Sequence, residues 1–355
     1  MSKIKVAVLF GGQSSEHEVS CISVQTVIKN MNKDKYDLTL VGITTDGRWL
    51  KADGIENIAD GSWKDSKVTM VLSPDAGHKG FVAIEDGRAE IIPVDVVFPV
   101  LHGLYGEDGT VQGVLELAKL PYVGCGVVAS GVSMDKLFTK IIVDSIGHIR
   151  QAKYVSFRRY ELTDMETCLD RVEKAIPYPV FVKPSNAGSS KGVSKAVDRD
   201  ALKAALTEAA RHDEKILVEE TIVGREVECA VLGSPDTKAS GVGEVLAAEE
   251  AAFYDFDAKY NNAASKTDLH PVFPEGKEDE IRQDAVEIFK AVDGFGLARI
   301  DFFLEKDTNE VVFNELNTLP GFTSISMYPM LWREKGIETD KLVDLLIENA
   351  FTRHK

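Results

Sequence analysis

The chain has 355 residues, a formal net charge of −16 at pH 7 and 44% hydrophobic residues. This length predicts two or three domains with substantial cores. The acidic balance argues against a nucleic acid or an anionic membrane surface as a partner, and no apolar run reaches transmembrane length. The scattered cysteines lack the spacing of a disulfide framework or a zinc site. We therefore expect a cytoplasmic enzyme or binding protein without a signal peptide.

The N-terminal segment predicts a βα unit. Residues 3–10 are typical of a buried strand, and a Gly-Gly turn follows. Residues 15–31 form an amphipathic pattern that opens on Ser15-Glu16-His17-Glu18, which fits a capping box. A second strand is predicted over 37–43. Glu16, near the helix start, could bind a ligand amine at the strand's C-terminal edge, or it could serve only as a capping acid. The chain lacks GxGxxG at this turn and GxxxxGK[ST] throughout, so neither a dinucleotide site nor a P-loop is indicated.

A glycine-rich loop follows the next predicted strand. Residues 95–100 are typical of a buried strand, and the loop over 101–113 precedes a helix over 114–119. Four glycines after a central strand indicate backbone held close to another group. His102 lies where the strand ends; a lone histidine is most often structural, but this position favours a site.

The middle of the chain carries lysines beside a Gly/Ser loop. A helix predicted over 132–144 carries Lys136 and Lys140 on one face, which taken locally indicates a solvated face. A strand over 178–183 delivers Lys183 into the loop 184–193. Backbone N–H groups and hydroxyls in such a loop can wrap phosphates, although a flexible hairpin loop is the alternative.

Further along, the pattern alternates between regular and irregular segments. Residues 216–220 and 221–226 predict a strand, a short connector and a second strand, which could offer backbone edges to a purine and a carboxylate to a ribose. The aromatic-rich stretch over 249–266 lacks periodicity and is a candidate lid. Amphipathic helices are predicted over 275–292 and 341–350.

An antiparallel hairpin is predicted from strands over 297–304 and 311–317. Because side chains alternate along a strand, the residues predicted to share one face are Arg299 and Asp301 on the first strand, and Phe313, Glu315 and Asn317 on the second. If Asp301 lies opposite Glu315, the two carboxylates repel, so this face favours a bound cation, and its oxygen ligands suit Mg²⁺. A half-exposed hairpin with a polar outer face is the structural alternative.

Six segments, each weakly specific alone, are specific together. They are Gly11–Ser20, His102–Gly109, Lys183–Ser190, Phe253–Tyr260, Arg299–Asp301 and Asn314–Gly321. In residue type and order they resemble the motifs of D-alanine–D-alanine ligases, which belong to the ATP-grasp superfamily. The resemblance extends from residue 4 to about residue 350.

The resemblance implies an α/β, three-domain ATP-grasp fold. It implies an N-terminal Rossmann-like domain over residues 1–128, a central ATP-grasp subdomain over 129–223 and a C-terminal one over 224–355, with ATP between the last two. The implied reaction converts two D-alanines and ATP into D-alanyl-D-alanine, ADP and phosphate through D-alanyl phosphate, for peptidoglycan precursors. A homodimer is also implied.

The resemblance assigns residues to ATP and metal. The residues implied to bind ATP are Lys136 and Lys183 at the phosphates with Ser190 in the covering loop, Glu219 and Ile222 at adenine, Glu226 at the ribose and Lys259 at the γ-phosphate. Those implied to hold two Mg²⁺ ions, with Mn²⁺ as a possible substitute, are Asp301, Glu315 and Asn317.

The amino-acid sites are implied in the same way. The residues assigned to the first D-alanine are Glu16 at its amino group, in a hydrogen-bonded chain with Ser189 and Tyr260, and His102 near its carboxylate. Arg299 and the Gly321 N–H are assigned to the oxyanion. Ser326 and Met327 are assigned to the second carboxylate.

Three alternatives remain. One is a D-Ala-D-Ser or D-Ala-D-lactate ligase of the vancomycin-resistance type, against which Tyr260 and Met327 favour D-alanine as second substrate. Another is an ATP-grasp ligase for a different carboxylate and amine, which the amino-acid site residues oppose. The third is a non-catalytic nucleotide-binding relative, which the full set of lysines and metal ligands opposes.

Overall fold

A computed structural model describes residues 2–186, 188, 191–246 and 266–353. Its strands are β1 (Ile4–Gly11), β2 (Tyr36–Ile43), β3 (Trp49–Ala52), β4 (Thr69–Leu72), β5 (Gly80–Glu85), β6 (Arg88–Pro93), β7 (Val96–Leu101), β8 (Arg150–Gln151), β9 (Tyr154–Arg158), β10 (Val180–Pro184), β11 (Ser194–Ala196), β12 (Lys215–Glu220), β13 (Gly224–Leu232), β14 (Lys238–Leu246), β15 (Lys266–Asp268), β16 (Leu297–Glu305) and β17 (Val311–Asn317).

The helices lie mostly between these strands. They are α1 (His17–Asn30), α2 (Ile55–Ala59), α3 (Thr110–Leu117), α4 (Val127–Met134), α5 (Lys136–Ile146), α6 (Met165–Ala175), α7 (Arg199–His212), α8 (Lys277–Ala291), α9 (Met327–Glu334) and α10 (Thr339–Ala350), with 3₁₀ turns at Ser62–Asp65 and Arg159–Asp164. In the described part of the chain, no helix combines the length and the apolar character needed to cross a membrane.

The first sheet has seven strands in the order β6-β5-β4-β3-β2-β1-β7. Strand β1 pairs in parallel with β2 and β7, and its residues Val6–Phe10 are completely buried, as expected for a central parallel strand covered on both faces. The predicted βα unit is confirmed. The capping box is not formed, because Glu16 at the N-cap makes no side-chain capping bond and its own N–H donates to Ser14 Oγ at 3.1 Å.

The second sheet is antiparallel, in the order β11-β10-β12-β9. Its core contains residues of α6 and α7. The third sheet has the order β15-β14-β13-β16-β17-β8 and is antiparallel except for the pairing of β17 with β8. Its core includes α8.

The C-terminal helices complete the core of the first sheet. Leu331 and Trp332 from α9, and Leu342 and Leu346 from α10, belong to the same buried cluster as strand β1. Polar contacts add to this packing, since Asp344 accepts hydrogen bonds from Lys35 Nζ at 3.1 Å and from Tyr36 Oη at 2.5 Å.

Candidate active site

A cavity of about 660 Å³ opens where the three sheets approach one another. The predicted site residues that line it are Glu16, His102, Lys136, Lys183, Glu219, Ile222, Glu226, Arg299, Glu315, Asn317 and Gly321. Glu16 follows β1, Lys183 lies on β10 and Asn317 ends β17, so each sheet contributes to one space. Residues from distant parts of the sequence are thus brought together.

The predicted hairpin is confirmed, and its carboxylates lie opposite each other. Asp301 pairs with Glu315, and Arg299 pairs with Asn317. Arg299 Nε and Nη2 each approach one oxygen of Asp301 at 2.7 Å, and Asn317 Nδ2 donates to Asp301 at 3.0 Å. Lys136 Nζ lies 3.3 Å from Glu315. Cationic groups therefore offset the repulsion that this register creates.

One face assignment in the hairpin is wrong. The register shifts between Asp301 and Phe302, which leaves Asn314 as an extra residue, so Phe313 pairs with Phe302. The two rings pack edge to face with centroids 6.0 Å apart. Phe313 therefore does not share the face of Glu315, because a bulge shifts the alternation by one residue.

Arg299 also contacts a carboxylate that the sequence analysis missed. Glu228 on β13 pairs with Asp301 across the sheet, and its Oε2 lies 3.0 Å from Arg299 Nε. Both carboxylates are buried. A guanidinium between two buried carboxylates has a fixed orientation. If the pairing of β13 with β16 had been known, strand alternation would have predicted that Glu228 lies on the same face as Asp301.

A buried cluster holds the lysines. Glu219 Oε1 lies 2.7 Å from Lys140 Nζ, and its other oxygen pairs with Lys183. Burial alone would raise the pKa of Glu219, but the two ammonium groups outweigh it and lower that pKa to about 2. Glu219 is therefore a carboxylate at any pH at which the protein would be assayed.

The predicted solvated lysine face does not exist. The pattern over 132–144 forms two helices, α4 and α5, which meet at Asp135. Asp135 caps α5 by accepting from Phe138 N at 3.3 Å. Lys140 is only 2% exposed because Glu219 neutralises it inside the protein. The i, i+4 spacing was visible in the sequence, but the partner 79 positions away was not.

The glycine-containing loop after β10 approaches Glu16 closely. A Cβ added to Gly188 would lie 3.0 Å from Glu16 Oε2, and one added to Gly103 would lie 2.6 Å from the same atom. Ser185 anchors the loop, since its hydroxyl donates to Asp135 at 2.5 Å. Glycines thus let two loops close around one carboxylate.

Two ionisable groups stand beside Glu16. Burial lowers the pKa of His102, so the ring is neutral. Burial and the nearby Glu16 charge raise the pKa of Glu107 to about 7, although this side chain still reaches the cavity surface. Glu107 lies inside the predicted glycine-rich loop, but nothing in its local sequence distinguished it from other loop acids.

Of the predicted second-substrate residues, Ser326 lies beside Gly321 and Met327 packs elsewhere. Ser326 Oγ accepts a hydrogen bond from Thr323 N at 3.0 Å and would lie 2.9 Å from a Cβ added to Gly321. Met327 begins α9 and is only 4% exposed. Its sulfur packs against Gly243 of β14, so its side chain belongs to the core.

Some predicted residues lie outside the described part of the chain. They are Ser189, Ser190, Lys259 and Tyr260, together with the candidate lid up to residue 265. Within the described ranges, no group of three or more His, Cys, Asp or Glu side chains is arranged to hold a metal. A metal at the hairpin would thus rely on two carboxylates, an amide and other oxygen donors.

Comparisons with known proteins agree with the motifs. Residues 5–125 match the model for the D-ala D-ala ligase N-terminus, and residues 142–348 match that for the C-terminus. The D-alanine–D-alanine ligase of Acetivibrio thermocellus is 51% identical over 99% of this chain and 97% of its own length. That of Ruminiclostridium cellulolyticum is 49% identical over 100% and 97%.

Solved structures show the same fold. The VanG D-Ala:D-Ser ligase from Enterococcus faecalis superimposes with a TM-score of 0.89 at 39% identity, over 98% of this chain and 100% of its own. The D-alanine-D-alanine ligase from Coxiella burnetii gives 0.84 at 35% identity, over 99% and 96%. The fold and the family expected from the six motifs are confirmed. The chain belongs to the D-alanine–D-alanine ligase family and has the ATP-grasp fold.

Proposed function

We propose that this chain joins two D-alanines in the cavity described above, with ATP at one end and the amino acids at the other. The observation that carries the proposal is that a single cavity is lined by Lys183 and Glu315 as well as by Glu16 and Gly321. The first pair suits an anionic phosphate chain and its counter-ions, and the second suits an ammonium group and a developing oxyanion.

The ATP end would use the lysines and the rim of the cavity. Lys136 and Lys183 would contact the phosphates, Ser190 would belong to the covering loop, and Lys259 would approach the γ-phosphate. Glu219 and Ile222 would lie at adenine and Glu226 at the ribose. Support comes from the position of Lys183, Ile222 and Glu226 on the wall of one cavity.

Asp301, Glu315 and Asn317 would hold Mg²⁺. The set fits a hard cation, because two carboxylates and an amide all offer oxygen ligands. When bound, Mg²⁺ would offset the negative charge of the phosphates. We propose that two Mg²⁺ ions bind here and that Mn²⁺ can replace them.

At the amino-acid end, Glu16 would bind the ammonium of the first D-alanine, in a hydrogen-bonded chain with Ser189 and Tyr260. His102 would lie beside the carboxylate. The carboxylate attacks the γ-phosphorus, ADP leaves and D-alanyl phosphate forms. This step turns a poor acyl donor into one with a good leaving group.

The second D-alanine would be held by Ser326 and by the start of helix α9 at Met327. Its free amine attacks the acyl carbon, the C–N bond forms and the amine loses a proton. Phosphate then leaves as the tetrahedral oxyanion collapses. Arg299 and the Gly321 N–H would stabilise that oxyanion. Glu228 and Asp301 hold the guanidinium in place beforehand, so little reorganisation is needed.

The test is phosphate release with ATP and Mg²⁺, using D-alanine alone, D-alanine with D-serine, and D-alanine with D-lactate, with products identified by mass. Turnover on D-alanine alone, giving the dipeptide, is expected. The similarity to a D-Ala:D-Ser ligase makes the D-serine arm necessary. A dominant serine or lactate product at neutral pH would contradict the choice of second substrate, and absence of turnover in all arms would contradict the reaction.

The proposal also includes a cytoplasmic location, a homodimer, and domain boundaries after residues 128 and 223. Sedimentation equilibrium checks the homodimer, and a monomer at micromolar concentration would contradict it. Limited proteolysis followed by mass determination checks the boundary after residue 223, which lies between β12 and β13, because exposed linkers are cut first.

A further inference from the structure

The segment 319–322, which contains Gly321, is held by side chains from the part of the sequence that forms the first sheet. The N–H of Leu319 donates to Glu107 Oε1 at 2.8 Å. The carbonyl of the same residue lies 2.8 Å from His102 Nδ1. Beyond Gly321, the N–H of Phe322 donates to Ser23 Oγ at 3.4 Å. Three backbone groups that flank Gly321 are therefore fixed by residues more than 200 positions earlier in the chain.

These contacts allow one consistent arrangement of protons. A carbonyl can only accept, so His102 Nδ1 carries the proton that reaches Leu319. The neutral ring then accepts at Nε2, which lies 3.2 Å from Ser23 Oγ, and the serine hydroxyl is the donor. The same hydroxyl oxygen remains able to accept from Phe322. Each donor of this network, on His102, Ser23, Leu319 and Phe322, therefore has an acceptor.

Glu107 also connects this network to the loop beside Glu16, the residue proposed to bind the first D-alanine. Its second oxygen accepts the N–H of Gly103 at 2.8 Å, and Gly103 is the residue whose Cβ would approach Glu16 Oε2 to within 2.6 Å. The carboxylate proposed to bind the substrate amine and the backbone around Gly321 therefore share one bridging side chain. A displacement of Glu107 would change the spacing between them.

We propose that Glu107, His102 and Ser23 are positioning residues that aim the Gly321 N–H at the oxyanion of the ligation step. The inference rests on the proposed function, because it presupposes that this N–H faces the oxyanion. An oxyanion donor is effective only if its direction is set before the charge develops. Anchoring on both sides of Gly321 removes most of the freedom that a glycine would otherwise have.

The consequence is specific to one step. Attack of a carboxylate on phosphorus creates no oxyanion on carbon, whereas attack of the amine on the acyl phosphate does. Loosening the segment should therefore slow amide formation more than phosphate transfer from ATP. D-Alanyl phosphate that waits for the amine is lost to water, so more than one phosphate is released for each dipeptide formed.

The experiment measures phosphate and dipeptide in the same reaction for the parent and for Glu107→Gln. The glutamine keeps the volume but places an NH₂ group where one oxygen accepts an N–H. We expect dipeptide formation to fall at least tenfold at saturating substrates, phosphate release to fall less, and KM for ATP to stay unchanged. Ser23→Ala should act in the same direction with a smaller effect.

Glu116→Gln is the matched control. Glu116 accepts a hydrogen bond from Tyr122 Oη at 2.8 Å but does not line the cavity, so its ratio of phosphate to dipeptide should remain one. If Glu107→Gln slows both products equally, with a ratio of one, the inference is overturned, because a general loss of folded enzyme has that signature. If Glu107→Gln does not fold, Ser23→Ala decides by the same criterion. A parent without D-alanine-dependent phosphate release would refute the proposed function instead.

Discussion

Replacing Glu219 by glutamine should destabilise the protein strongly in the absence of any ligand. The side chains of Glu219 and Lys140 are 7% and 2% exposed and their charged atoms lie 2.7 Å apart, and Lys183 pairs with the other carboxylate oxygen. At an effective dielectric constant near 20, one such contact is worth about 6 kcal/mol before desolvation is subtracted. Removing this carboxylate takes away the shared partner of two ammonium groups.

The net loss for breaking a buried pair in this way is about 3–5 kcal/mol. For a chain of this size that corresponds to a fall in Tm of roughly 4–7 °C. Because the pKa of Glu219 is lowered to about 2, its contribution is present above the usual carboxyl pKa and is lost as pH falls through about 2. The difference between parent and variant should therefore be constant from pH 6 to pH 9.

The assay is thermal unfolding followed by circular dichroism, with Glu220→Gln as the matched control. Glu220 is the next residue, is partly exposed and lies 3.9 Å from Arg150, so its replacement should cost under about 1 kcal/mol. Combining Glu219→Gln with Lys140→Met should recover part of the loss, because it removes one of the two uncompensated charges. Equal Tm values for Glu219→Gln and Glu220→Gln would refute this reasoning.

Three more outcomes are expected. Gly103→Ala forces a non-glycine residue to φ +70 and brings a Cβ to 2.6 Å from Glu16 Oε2, so it should lower stability by about 1–2 kcal/mol and raise KM for D-alanine. The control Gly147→Ala, at φ +90 with no atom within 4 Å, should share only the loss of stability. Equal KM values for the two variants would contradict the steric explanation. Burial, followed by neighbouring acidic side chains, raises the pKa of Asp284 to about 6, so ionisation of this carboxyl lowers the free energy of unfolding increasingly as pH rises towards 6. In denaturant titrations, Asp284→Asn should therefore raise the free energy of unfolding by about 1–2 kcal/mol at pH 8 and leave it unchanged below about pH 4. Chelation of Mg²⁺ should abolish phosphate release until the ion is restored, and Asp301→Asn should raise the Mg²⁺ concentration needed for half-maximal rate; normal turnover in excess chelator would contradict the proposed metal role.

The sequence predicted the elements that have a strong local signal. Strands over 3–10 and 311–317 appear as β1 and β17 because apolar runs and turn residues mark them. Strand alternation predicted which side chains share a face on each strand of the hairpin, and the structure pairs Asp301 with Glu315. The bulge at Asn314 was not predicted, because an extra residue in one strand depends on the packing of its neighbours rather than on a residue type.

Buried ion pairs were the main feature that sequence reasoning could not predict. Lys140 has the pattern of a surface residue, yet Glu219 neutralises it inside the protein. Glu228 and Glu107 likewise look like ordinary acids, and their roles arise only from contacts with Arg299 and Leu319. In each case the decisive partner lies far along the chain, where local pattern carries no information.

The packing of helices α9 and α10 into the first core has a consequence for biosynthesis. Strand β1 emerges from the ribosome more than 320 residues before Trp332, Leu342 and Leu346 of the same buried cluster. At the usual elongation rate of about 5–20 residues per second, that interval lasts on the order of 20 to 60 seconds. During this time the nascent first sheet lacks the apolar cover that helices α9 and α10 provide.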